Sequence, residues 1–164
     1  MAGIIQDKMN PAQKQAPKFD HGAELQKMRS NMPPKMRNAF DRVVLAGQRI
    51  MYGKETKQVV EQFLSHDMPV ANKLGEGVAN LVVMIDNKAN GAIPKDVLIP
   101  AGTVLLFDAA DFLKQTGETI SAQDIGKAYE LMFYGIFEAY GGKPEQVDAV
   151  FDKMGQEHAS KAGA

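Results

Sequence analysis

The chain reads as an all-α protein, a compact helical bundle of five to seven helices behind a polar N-terminal arm. Three observations predict this. Apolar residues recur three and four apart over Met36–Met51, Val70–Ile85, Val97–Leu113 and Ile125–Tyr140, the period of a helix with one buried face. Glycine and proline punctuate the intervals between these runs, at Gly53, Pro69, Asn90-Gly91, Gly117 and Gly141-Gly142. No stretch alternates apolar and polar residues between turns, so no strand competes.

Residues 1–32 form the arm. Pro11, Pro17, several Gln and Lys and only sparse apolar residues (Ile4, Ile5, Phe19, Leu25) cannot close a core of their own, although Ala23–Ser30 suits a short helix. The arm is expected to be mobile alone and ordered on assembly. Residues 33–158 form the helical domain, and 159–164 a frayed tail.

The first long helix begins at Pro33-Pro34, because proline suits a first turn, and ends near Tyr52 with Gly53 as its cap. A shorter amphipathic piece follows over Glu55–Ser65. Asp67 is positioned to cap the next helix, with Pro69 in its first turn. That helix carries Val70, Leu74, Val78, Leu81, Val82 and Ile85, and its Gly75 and Gly77 predict close approach of a neighbouring helix. Asn90-Gly91 forms a turn, both residues tolerating positive φ. Pro94 and Pro100 predict a helical turn over Pro94–Ile99, a break or kink, and a helix over Ala101–Gln115. Ser121 with Asp124 three residues on is a capping-box variant that opens the helix ending at Gly141-Gly142. Pro144 opens a final helix with Val147, Val150, Phe151 and Met154.

Composition narrows the function. The chain of 164 residues is 45% hydrophobic and carries a formal net charge of −1, so no global charge excess points to nucleic acid or an anionic membrane. It has no cysteine, which removes disulfides, thiolate zinc sites and thiol nucleophiles. His21, His66 and His158 lack metal-ligand spacing, and no metal or cofactor is expected. No signal peptide is expected in MAGIIQDKMNPAQ, and no transmembrane span.

Asp108, with Asp111 one turn on, is the one polar residue on an apolar stripe. Two carboxylates at this spacing share a helix face and could serve acid–base chemistry or hold a cation. No second acid–base residue stands at usable spacing, so a satisfied contact to an Arg, a Tyr or a helix N-terminus elsewhere in the bundle is the better expectation and no catalytic residue is assigned. Lys27, Arg29, Lys35, Arg37, Arg42 and Arg49 form a basic stretch, read chiefly as a solvated face. Ten methionines and the aromatic series Tyr129, Phe133, Tyr134, Phe137 and Tyr140 suggest apolar surface beyond one bundle's need. Tyr129, Phe133, Tyr134 and Phe137 are therefore the candidate interface residues.

The segments DRVVLAGQRIMYG, VANLVVMIDNKANGAIPKDVLIPAGTVLLFDAADFLKQTG and IGKAYELMFYGIFEAYGG, in this order, resemble a small virion protein of tailed bacteriophages, podovirus-like, over Met36–Gly142. The resemblance lies in helical packing patterns and carries no functional residue across. It implies an internal or ejection-type structural protein that homo-oligomerises into a ring or conduit for genome delivery. Itself and a larger virion protein would be its partners, with non-specific DNA contact inside the conduit. It would reside in the virion, then in the host periplasm or envelope after ejection. The competing expectation is a small helical adaptor, chaperone or scaffold that holds a partner's helix in an apolar groove.

Overall fold

The computed structural model describes residues 21–54, 58, 60, 61, 64 and 67–162. It is an all-α bundle: six helices and no strand among the described residues. These are α1 (His21–Asn31), α2 (Pro34–Tyr52), α3 (Val70–Lys88), α4 (Lys95–Gln115), α5 (Ala122–Ala139) and α6 (Pro144–Ala162). Helices α3 and α4 form the centre. Helix α5 lies along α3, α2 along α4, and α6 rests on α5.

The helix ends follow local chemistry. Pro34 opens α2 at its first position. Ser121 and Asp124 close a reciprocal box at the start of α5: the Asp124 N–H donates to the Ser121 hydroxyl, and the Ser121 N–H donates to the Asp124 carboxylate. Three helices end in the same six-to-one closure. The N–H of Gly91 reaches the carbonyl of Asp86, that of Glu118 reaches Leu113, and that of Gly142 reaches Phe137. The left-handed residues this closure requires are Asn90, Gly117 and Gly141.

The core collects Phe40, Val43 and Met51 from α2, Leu74, Val78, Leu81 and Val82 from α3, Val97, Leu98, Leu105 and Leu113 from α4, and Met132 and Ile136 from α5. Each fully buried side chain of this size stabilises the fold by roughly 1.5–3 kcal/mol. Small residues bring the backbones together. A Cβ on Gly75 would stand 2.5 Å from the Ala128 carbonyl oxygen and 2.6 Å from the Leu131 Cβ, and one on Gly135 would stand 2.7 Å from the Ala79 Cβ. The close approach expected at Gly75 is thus the α3–α5 seam.

Several expectations need correction. Helix α4 does not break at Pro100 but runs from Lys95 to Gln115. An interior proline costs about 3 kcal/mol. Val97, Leu98, Ala101 and Leu105, on both sides of it, are all buried, and a break would pull them from the core. The carbonyl that Pro100 leaves without a donor belongs to Asp96, an exposed residue. Asp67 does not cap α3. Pro69 occupies that position, with no side-chain cap. Gly53 caps α2 in an extended conformation, φ −77° and ψ 139°, so its left-handed freedom is unused.

The short helix expected over Ala23–Ser30, within the arm, is present as α1 (His21–Asn31). Leu25, Met28 and Met32 pack on the core, and Arg29 pairs with Asp41 of α2 at 3.0 Å. Residues 1–20 lie outside the described residues, as does most of the expected helix Glu55–Ser65, of which Gln58, Val60 and Glu61 are helical. Helix α6 continues to Ala162, past the point where the tail was expected to fray; residues 163 and 164 lie outside the described residues.

Candidate functional site

The chemistry-bearing residues fall into four places. The first is a buried carboxylate that the sequence reading passed over. Asp86 continues the α3 series Leu74, Val78, Val82 at the next four-residue step, and its side chain is only 1% exposed. It accepts hydrogen bonds from the Lys95 ammonium at 2.5 Å, the Tyr140 hydroxyl at 2.6 Å and the Ile93 N–H at 3.1 Å. The Lys95 ammonium also stands 4.2 Å from the centre of the Tyr140 ring. Burial pushes the pKa of Asp86 up. The hydrogen bonds from Lys95, Tyr140 and Ile93 and the Lys95 charge outweigh it and hold the carboxyl below its ordinary value. Burial, together with that carboxylate, pushes the Tyr140 hydroxyl well above a normal tyrosine. This node ties the end of α3, the start of α4 and the end of α5 into one corner. Its three donors satisfy the carboxylate, so it is a structural tie.

The second place lies beside that corner, a groove of about 430 Å³ between α4 and α5. Leu98, Ile99, Phe133, Ile136 and Phe137 line it, and Lys95 and Asp96 stand at its rim. Of the four candidate interface residues, Phe133 and Phe137 line this groove, and all four are half-buried. Part of their cover comes from the same chain. Phe151 of α6 packs edge-on against Phe133 at 5.3 Å and Tyr129 at 6.2 Å, and stacks on Tyr134 at 6.3 Å. Phe137 stacks on Phe133, and the Tyr134 hydroxyl bonds to Asp148. Burial raises the Tyr129 pKa, opposed by a hydrogen bond with Thr103.

Third, Asp108 and Asp111 are half-buried on α4. Gln48 of α2 donates to the Asp108 carboxylate at 2.9 Å, and the Tyr52 hydroxyl donates to the Asp108 carbonyl at 3.3 Å. Burial and then the charges of Asp108 and Asp111 raise the Tyr52 pKa. Asp108 thus has a cross-helix partner, but its carboxylate is met by a glutamine rather than by the Arg, Tyr or helix N-terminus expected.

Fourth, the basic stretch divides. Arg29 is consumed by Asp41, and Arg37 donates to the carbonyls of Met32 and Ser30. Lys35, Arg42 and Arg49 stand exposed on one face of α2, with no acidic partner among the described residues. Lys35 and Arg42 border a groove of about 500 Å³ floored by Ala39, Val43, Ala46, Ile85 and Ile93.

Among the described residues, no group of three or more His, Asp or Glu side chains is placed to hold a metal ion. None of the helices among the described residues is long and apolar enough to cross a membrane. Comparisons of the chain with protein-family models, with curated proteins and with solved structures gave no match.

Proposed function

We propose that this chain is a structural protein of a tailed-bacteriophage virion, an internal or ejection-type component that works by self-association into a ring or conduit, with a larger virion protein as its further partner. The observation that supports self-association is the state of α6. Its apolar residues Val147, Val150, Phe151 and Met154 form one stripe. Val147 is fully buried against the bundle, whereas Val150 is 39% and Met154 42% exposed. A terminal helix with half of its stripe covered gains apolar burial by meeting a second surface, at roughly 25 cal/mol per Å². The phage assignment itself rests on the resemblance of Met36–Gly142.

The test is electron microscopy of the purified full-length chain, alone and with envelope-mimicking detergent or lipid, together with mass spectrometry of purified virions of the phage that encodes it. Closed rings or tubes, and the chain's peptides inside the particle, are expected. Particles lacking the chain would overturn the virion reading. A strict monomer would overturn self-association and favour a small adaptor.

A further inference from the structure

We infer that the basic groove beside α2 receives α6 of a second copy of this chain, giving a head-to-tail contact. The inference rests on the self-association proposed above and names one pair of charged surfaces for it.

The two helices carry the same spacing with opposite charge. On α2, Lys35 is followed four residues later by Ala39 and three further on by Arg42; Arg42, Ala46 and Arg49 repeat the pattern. On α6, Glu145 is followed four residues later by Ala149 and three further on by Asp152. Residues seven apart on a helix lie within about 20° of one another and about 10.5 Å apart along the axis. Each helix therefore presents two like charges at one separation with an alanine between them. Lys35, Arg42, Glu145, Ala149 and Asp152 are all exposed, and none of the four charged residues has an oppositely charged partner among the described residues.

The small side chains let the two helices approach closely, and the four charges then meet in pairs. Val150 lies about 100–160° around α6 from Ala149, Glu145 and Asp152. With the acidic face on α2, Val150 and Met154 therefore point away from the groove. One contact thus neutralises the two unpaired runs and leaves the apolar stripe of α6 outside it. The groove and α6 are different surfaces of the same molecule, so each copy offers one donor and one acceptor. Repetition closes into a ring if the rotation permits, and otherwise grows as a filament.

The experiment measures the mass of the full-length chain by light scattering over a micromolar concentration series. It compares wild type, K35E/R42E and E145K/D152K, singly and mixed, with circular dichroism to check that helix content is retained. Wild type should assemble, and its assembly should weaken as salt screens the pairs. Each double variant alone sets like charges together and should associate about ten-fold or more weakly. The equimolar mixture should recover assembly, because each altered surface then meets an oppositely charged one. Wild-type assembly that both variants retain would overturn this interface while leaving self-association standing. A strictly monomeric wild type would overturn both. Titration with a short DNA duplex, read by fluorescence anisotropy, is the third arm. Duplex binding lost in K35E/R42E, with assembly unchanged, would assign the groove to nucleic acid and overturn the inference.

Discussion

The two faces of α5 are built on opposite principles. Toward α3 the contact is between backbones: Gly75 lies under the Ala128 carbonyl and Gly135 under Ala79. Nothing along that seam can yield without moving a helix. Toward α6 the contact is between rings. Tyr129, Phe133 and Tyr134 meet Phe151 at centroid distances of 5.3–6.3 Å, and the helix they hold leaves Val150 and Met154 exposed. Close packing of small residues fixes a distance, whereas a ring cluster can repack as its neighbour shifts. The first face sets the fold, and the second holds α6 while leaving part of its apolar stripe exposed.

Substitution at the seam is expected to have the largest effect. Gly75→Val drives branched carbons into the Ala128 carbonyl and should cost about 3 kcal/mol in urea unfolding. A loss under 1 kcal/mol would mean that α3 and α5 are not held at backbone distance. Next comes the polar corner beside the seam. Asp86→Asn removes the charge that Lys95 and Tyr140 face, and should cost about 2 kcal/mol at neutral pH, moderated because Lys95 is half exposed and can be hydrated.

The pH dependence follows from the direction of the Asp86 shift. Because its folded pKa lies below its unfolded value, the stabilisation is fully present above the ordinary aspartate range. It is lost as pH falls through the folded pKa. The gap between wild type and Asp86→Asn should therefore narrow in acid. A gap that widens as pH falls would contradict the assigned network.

The ring face should respond more weakly and more locally. Phe151→Ala is expected to cost about 1–2 kcal/mol, a partly exposed ring losing less than a buried one. Amide exchange should accelerate along α6 while α3 and α4 keep their protection. Equal acceleration across the bundle would erase the contrast between the faces. The smallest effect is at a helix end. Gly117 has open space around its Cβ position but φ of +99°, so Gly117→Ala should cost about 1 kcal/mol through backbone strain alone. A glycine limited by space and one limited by φ thus bracket the range.

Much of the scaffold was legible because its signals are local. Pro34, Asn90-Gly91, Gly117, and Ser121 with Asp124 act through neighbours within a few residues, and each sits where its chemistry placed it. The failures share a cause. Pro100 breaks or kinks a helix by local rules, and the burial of Val97, Leu98, Ala101 and Leu105 on both sides of it excludes the break. Asp86 gave one sequence signal, its place on the α3 stripe, but its hydroxyl partner Tyr140 lies 54 residues away. Asp108 attracted attention for the same stripe logic, and its Gln48 partner is 60 residues distant. The aromatic series on α5 was recognisable as a sticky face, but its cover by Phe151 depends on where α6 docks. The basic stretch looked uniform until the fold consumed Arg29 and Arg37 and left Lys35, Arg42 and Arg49 aligned.

The central claim is that the α6 side of the molecule is completed by another copy of the chain. Sedimentation velocity of the full-length protein over a wide concentration range tests it most directly. A concentration-dependent shift from monomer to a defined closed species, lost in Val150→Asp, is expected. A single monomeric boundary at every concentration, unchanged by that substitution, would contradict it.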